Sequence, residues 1–512
     1  MKIKDRIKEI NIIDIFLIFL IIALCLLFSY INLFRYKQGL NADIAAEGLL
    51  AREIWETKQW IPDTWYTSTE NKIISVANWS ALFYGVTGSL SAAMGWGCIL
   101  GMVYFLLCAE YLAKELQFNR TQKLLFLSLC LLLPNNIAEI QMIYTHAGYY
   151  VCHLGLFLWT LGWYVQMLKG KEKKWVTGVG IYVMHFLLGG QGVRGILMIS
   201  GPMLGMEMIR RVYLFWKNGK IDKKDNRITI SVLFTIIVGY VGGKLPFSVG
   251  YPVSRNIRNA PSKFINQIIP HFLDTIAWNF LSTIEKIAMF ICLIGVVYFV
   301  VLIGIKGWKK EEIKYEEWVF LTSVLSVVLT AMALTFTTVE SANRYYILIF
   351  FAIAFALVIL GEKKKIYKWI VMAIVIVTLI GNSTRVYLPI IESGTYQGDV
   401  IRVVEYLEEQ GYEQGYTTYE HANHMTVVGD GRVQVAAVNS METMEVCKWL
   451  TSERWYVPNV SYESKTAYIV TDLNLESFQE FYEQHKDEIV FDTKIGIYNI
   501  YGADYNYSKL TD

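Results

Sequence analysis

IIDIFLIFLIIALCLLFSYI, residues 12–31, carries a single charge, Asp14, and follows the basic stretch MKIKDRIKEI at 1–10. A helix of about 20 residues rises about 30 Å, the depth of a bilayer's hydrocarbon core. The run is too long for the apolar core of a signal peptide and no small-residue cleavage site follows it, so it is expected to remain as a first span. Similar runs lie near 94–114, 123–140, 148–168, 176–190, 194–214, 228–248, 285–305, 318–336, 345–361 and 368–388. About eleven spans make this a polytopic α-helical membrane protein. Composition agrees: 18% of the 512 residues are charged, against roughly a quarter in soluble domains.

Several classes are excluded at once. Lys plus Arg (47) against Asp plus Glu (45) leaves +2, without the basic excess of a nucleic-acid binder. Neither a Gly-x-x-x-x-Gly-Lys-Ser/Thr loop nor a Gly-x-Gly-x-x-Gly turn after a strand is present, which removes an ATP-driven pump. Six of the seven cysteines fall in apolar runs, where Cys packs as a small hydrophobe, and Cys447 alone lies in the tail. That pattern holds neither a disulfide framework nor a Cys-x-x-Cys pair.

Basic clusters mark alternate connections: Lys2/Lys4/Arg6/Lys8, Lys114/Arg120/Lys123, Lys169/Lys171/Lys173/Lys174, the run 210–227, Lys306/Lys309/Lys310/Lys314 and Lys363/Lys364/Lys365/Lys368. The positive-inside rule makes these cytoplasmic, together with the N-terminus. The outward set then comprises about 33–93, the 134–149 region, the 189–195 turn, about 249–284 and 337–344. With an odd number of spans the tail also faces outward. Residues 1–390 are thus read as a transmembrane domain with its first outer loop at about 33–93, and 391–512 as a small extracytoplasmic α/β domain. In the tail, DVIRVVEYLEEQ and LESFQEFYEQHK read as helices, TAYIVTD and IGIYNIYG as strands. Trp449, Trp455 and Tyr456 suit either sugar stacking or core packing.

The outward loops hold the chemistry. LNADIAAEGLLAREIWETKQWIPDTWYTSTENKII, residues 40–74, reads as a helix over 42–57 followed by an aromatic, Pro-containing turn. Asp43 and Glu47, four residues apart, share one helix face. The bland alternative is a solvated juxtamembrane helix with an aromatic belt at the headgroups.

This loop resembles the GT-C class of integral-membrane glycosyltransferases, which includes the protein O-mannosyltransferases and the lipid A aminoarabinose transferases. The likeness rests on an acid after the first span (Asp43), a Trp-Ile-Pro then Trp-Tyr-x-Ser-Thr-Glu segment (60–62, 65–70), a glycine-rich turn GGQGVRG (189–195) and a late span opening NRYYIL (343–348). Many relatives carry adjacent Asp-Glu at the loop position; here Ile44 follows Asp43 and the next acid is Glu47.

The resemblance implies transfer of a sugar from a polyprenyl-phosphate donor to a glycan, lipid or protein acceptor at the outer face of a plasma membrane, bacterial in type. It implies inversion, with an outer-loop carboxylate as base: Asp43, or else Glu47. A base must lie near the attacking hydroxyl, and the leaving phosphate needs positive charge. Arg194 and Arg344 are the first choices for the lipid phosphate, with Arg255, Arg258 and Lys263 of YPVSRNIRNAPSK behind them. Each has a plain alternative: a tight glycine hairpin around Arg194, an Arg344–Glu340 ion pair, and headgroup contact for the basic loop. Glu139, Tyr144 and His146, in PNNIAEIQMIYTHAGYY, are candidates for the acceptor or sugar, or else packed polar groups at a span end. His421 and His424 lack further ligands nearby, so neither metal nor cofactor is expected beyond the lipid-linked donor. Two other readings remain: a lipid-glycan flippase, which the charge-poor span interiors disfavour, and a non-catalytic envelope scaffold.

Overall fold

The computed structural model describes residues 11–170, 175–245, 253–392, 398–456 and 464–508. Lys2/Lys4/Arg6/Lys8, Lys171/Lys173/Lys174, Tyr251 and Pro252 lie outside the described residues. By internal contacts the chain groups into two compact units. One comprises Met1–Phe28, Met102–Ile143 and Tyr150–Pro389; the other comprises Ser29–Gly101, Tyr144–Tyr149 and Ile390–Asp512.

Among the described residues seven helices are long and apolar enough to cross a membrane: Ile12–Phe34, Leu90–Glu115, Val151–Leu168, Thr283–Trp308, Tyr315–Thr335, Asn343–Lys363 and Lys365–Glu392. In the first, Leu17, Leu20, Leu24, Phe28 and Ile31 recur every three or four residues and are buried, while Ile15, Phe19, Ile22 and Leu26 stay exposed. A helix apolar on its outward face suits lipid, not water. Helices also occupy Trp175–Gln191, Gly201–Asn218 and Lys223–Gly242, short of the same standard. The first has 17 residues, the second carries Glu207, Arg210, Arg211 and Lys217, and the third opens on Lys223, Lys224, Asp225 and Arg227.

The span expected near 123–140 is broken. Helices Arg120–Leu132 and Ile137–Ile143 meet at 114°, an eighth crossing if the pair is one span. Pro134 sits in the break, where it lacks an N–H and its ring opposes a continuous helix. The Asn382 amide closes the gap, donating to the carbonyls of Leu132 (2.7 Å) and Pro134 (3.2 Å). Glu139 therefore rides on a short second arm.

The glycine-rich 189–195 segment also differs from a simple turn. Gly189 and Gly190 belong to the last turn of Trp175–Gln191, and the chain reverses at Gly192, whose φ is +140°. A Cβ on Gly189 would sit 2.0 Å from the Gly239 carbonyl oxygen, and one on Gly242 1.9 Å from that of Phe186. Two helices approach to backbone contact here, which only small residues permit.

In the second unit, strands β1 (Trp65–Tyr66) and β4 (Thr451–Ser452) pair antiparallel. Five others form a sheet: β2 (Gln414–Thr418), β3 (Gln434–Val438), β5 (Thr466–Thr471), β6 (Val490–Ile495) and β7 (Tyr498–Ala503), in the order β3-β2-β5-β7-β6. β3, β2 and β5 run parallel, and β7 is antiparallel to both β5 and β6. The IGIYNIYG run is thus a hairpin turning at Gly496, φ +58°, rather than one strand. Helices Gly398–Glu409 and Leu475–Gln484 match the helix-like tail segments. Tyr456 is fully buried and Trp455 meets Trp65 edge-on at 5.8 Å, both packed in the core, whereas Trp449 is exposed.

Gly189→Ala is expected to lower stability by about 1–3 kcal/mol, since the added methyl meets backbone that cannot swing away. Gly295→Ala, in a helix position whose Cβ would meet nothing within 4 Å, should be neutral or stabilising by about 0.5–1 kcal/mol. Thermal unfolding of both variants in one detergent checks this contrast; equal melting temperatures would contradict it.

Candidate functional site

Asn41 caps the Ala42–Thr57 helix, its side chain accepting from the Ile44 N–H at 2.8 Å. An acid in the first turn is favoured by the helix dipole, and Asp43 takes that place. One turn on, Glu47 points to a different environment: Asp43 is exposed, Glu47 3% exposed. The shared face expected from their spacing thus ends in two unlike sites.

Asp43 is held twice. Its Oδ1 accepts from the Tyr419 hydroxyl at 2.6 Å, and its backbone carbonyl accepts from the Tyr149 hydroxyl at 2.7 Å. Burial, then Glu47 and Asp43, push the Tyr149 phenol well above its ordinary range. Burial and the Asp43 hydrogen bond do the same to Tyr419. Both remain donors at neutral pH.

Glu47 Oε1 lies 3.6 Å from Lys72 Nζ, which also reaches Glu70 Oε1 at 2.9 Å and stands 4.9 Å from the centre of the Tyr149 ring. Burial raises the Glu47 carboxyl above the usual carboxylate range; Lys72 opposes this, and Glu70 and Asp43 add to it. The lysine is placed by its backbone. Asn78, fully buried, donates to the Lys72 carbonyl at 3.1 Å, and the Trp60 indole donates to that of Ile73 at 2.7 Å. Behind this cluster the Tyr36 ring stacks on His146 at 5.5 Å. His146 is fully buried with φ +55°, its Nδ1 2.9 Å from Thr145 Oγ1 and its backbone N–H donating to Asn32. Burial pulls its imidazole down to about 4, so it is neutral at physiological pH. Tyr144 is buried, and its carbonyl accepts from the Asn32 amide at 3.0 Å. His146 and Tyr144 therefore support this site from beneath rather than line an open surface.

The other predicted residues belong to the first unit. Glu139 is fully buried and accepts from the Asn343 amide at 3.2 Å. Arg344, next in the chain, is exposed, its guanidinium 5.6 Å from the Tyr345 ring centre; among the described residues no ion pair joins it to Glu340. Arg194 lies 4.8 Å from the centre of the Tyr150 ring. Arg255 and Arg258 are exposed. Lys263 is buried and spends its ammonium on the carbonyls of Thr337 (2.7 Å) and Val339, so it holds a turn. Beside these residues lies an apolar cavity of about 720 Å³ lined by Phe264, Phe272, Val328, Met332, Phe336 and Tyr346, among others. His424 is buried and its imidazole is pulled down to about 4. Among the described residues no cluster of three metal-ligating side chains occurs.

Sequence reading missed Lys72, Tyr149 and Tyr419. Lys72 lies near the end of the quoted loop segment and Tyr149 ends the 134–149 stretch, so both were in view, but nothing local marks Tyr419 as a partner of Asp43.

No protein-family model matches the chain, and no curated protein sequence matches it. Solved structures do. ArnT from Cupriavidus metallidurans, determined bound to undecaprenyl phosphate, superposes with a TM-score of 0.53 at 8% identity, over 95% of this chain and 97% of that one. The oligosaccharyltransferase of Archaeoglobus fulgidus, determined with zinc and sulfate, gives 0.51 at 12% identity over 82% of this chain. The chain spans 62% of that enzyme's length. At such identity the likeness is one of fold, shared with these two membrane proteins.

Lys72→Met leaves the Glu47 carboxylate buried without its cation, and is expected to cost about 3 kcal/mol near neutral pH. In the variant Glu47 keeps its proton to higher pH in the folded chain than in the unfolded one. Stability then falls as pH rises above the ordinary glutamate range, so the deficit shrinks toward pH 5. Melting curves from pH 5 to 8 for Lys72→Met and Lys72→Met/Glu47→Gln check this. The double variant should recover much of the loss; a deficit independent of pH and of Glu47 would contradict it.

Proposed function

We propose that the chain transfers a sugar from a polyprenyl-phosphate-linked donor to an acceptor hydroxyl at the outer face of a membrane, with inversion and with Asp43 as the base. The observation that carries this reading is an exposed first-turn aspartate, its carboxylate accepting from the Tyr419 hydroxyl and its backbone carbonyl from that of Tyr149, within a GT-C fold. Exposure favours Asp43 over Glu47: a base must come within hydrogen-bond reach of the acceptor hydroxyl, and Glu47 is buried against Lys72.

In the reaction the acceptor hydroxyl gives its proton to Asp43 as its oxygen attacks the anomeric carbon. The bond from that carbon to the phosphate oxygen breaks, and the polyprenyl phosphate departs with the electron pair. Stabilising that charge is the task of preorganised cations. Arg194 and Arg344 are assigned to it, with exposed Arg255 and Arg258 as further contacts. Lys263 is left out because its ammonium is committed to two carbonyls. The apolar cavity beside Tyr346 has the character a prenyl chain requires, lined by side chains with almost no polar surface. Glu139, fully buried and accepting from Asn343 beside Arg344, is left out of the sugar or acceptor side on the same ground as Glu47.

The test is glycan analysis of a deletion strain carrying the parent gene, Asp43→Asn or Glu47→Gln at matched protein level. Loss of a general base removes roughly 10²–10⁴ in rate. One sugar should therefore vanish from the envelope with the deletion, return with the parent, and stay absent with Asp43→Asn. Full restoration by Asp43→Asn would overturn the assignment, and a deletion without glycan change would overturn the transferase reading.

A further inference from the structure

Asp43 and Tyr419 are 376 positions apart, yet they form one of the shortest side-chain contacts of the second unit, 2.6 Å from the phenolic hydroxyl to Oδ1. That length is typical of an O–H donor to an ionised carboxylate, roughly twice as strong as a neutral hydrogen bond. We propose that Tyr419 is a positioning residue for Asp43, so that the C-terminal α/β module completes the acid site of the first loop. This rests on the reading of Asp43 as the base.

Three features support it. Tyr419 opens the Tyr419–Val428 helix directly after β2, at the carboxyl end of a central parallel strand, where open α/β sheets present their functional groups. That helix is itself fixed on the loop. Lys37 Nζ donates to the Val428 carbonyl at 2.8 Å, Asp430 Oδ1 accepts from the Leu90 N–H at 2.7 Å, and Val427 packs on Gly48 of the Asp43 helix. The hydroxyl engages Oδ1 only, while the Tyr149 hydroxyl goes to the backbone carbonyl. Oδ2 is therefore oriented without being used, which is what a base awaiting a proton needs.

The groups facing Asp43 are Glu47 on its own helix, Lys72 and Glu70 beyond it, Tyr149, and Tyr419 with Glu420 from the tail. Of these, Tyr419 donates to the carboxylate itself. Removing it leaves the carboxylate free to turn away from the acceptor hydroxyl. The turnover of each folded molecule should then fall, an effect that loss of folded protein does not produce.

The experiment mixes the purified full chain, as parent, Tyr419→Phe or Asp43→Asn, with membrane fragments of the deletion strain, which carry the endogenous donor lipid and acceptor. Initial transfer per folded molecule is followed at neutral pH against the amount of membrane, to separate kcat from KM, with melting temperatures in parallel. Tyr419→Phe should keep the parent's melting temperature within a few degrees and lose roughly tenfold in kcat with KM little changed. Asp43→Asn should be silent. If Tyr419→Phe matches the parent while Asp43→Asn is silent, the positioning role is overturned and Asp43 stands as base. A loss accounted for by lost folded protein also overturns it, making Tyr419 structural. If Asp43→Asn transfers as the parent does, the reading of Asp43 fails and this inference with it.

Discussion

The carboxylate of Glu53 binds the first loop to the tail. It is completely buried, accepts from Thr64 at 2.5 Å and from Ser452 at 2.8 Å, and stands 3.6 Å from an Arg454 nitrogen. A buried carboxylate without such partners would be untenable, so these hydroxyls dictate where β1 and β4 meet. At that junction Trp65 meets Trp455 edge-on. Lys37, Asp430 and the Val427–Gly48 contact seat the Tyr419–Val428 helix on the same loop, and from it Tyr419 reaches Asp43.

The first unit applies the same rule to an apolar bundle. Its buried charges are paired or hydrogen-bonded: Glu207 with Arg210, Tyr164 and Thr229; Glu139 with Asn343; Lys263 with two carbonyls. Where Pro134 breaks a helix, Asn382 satisfies the freed carbonyls. Such breaks are tolerated only where protein replaces the missing partners. The break turns Glu139 inward to Asn343, beside Arg344, so a local fault in a helix assembles a polar pair that an unbroken span would keep apart.

Much of this was legible in the chain. The helix over 42–57 and the long apolar runs that mark the bundle were read because both signals are local. Pro134 was visible, but hydropathy averages over a break and reported a single span. Spacing put Asp43 and Glu47 on one helix face and the resemblance made them candidates; their different fates were not legible, since Glu47 meets Lys72 from the far end of the loop, beside Tyr149 from another segment. Tyr419 was out of reach altogether: one tyrosine among 33 carries no mark of a partner 376 positions away.

The central claim is that the chain acts on a lipid-linked donor. An undecaprenyl phosphate probe bearing a photoreactive group close to the phosphate, crosslinked to the full chain in membranes and mapped by mass spectrometry, tests it most directly. The account predicts label on peptides containing Arg194 or Arg344, competed by unmodified undecaprenyl phosphate. Competed label confined to other segments, or label that no competitor removes, would contradict it.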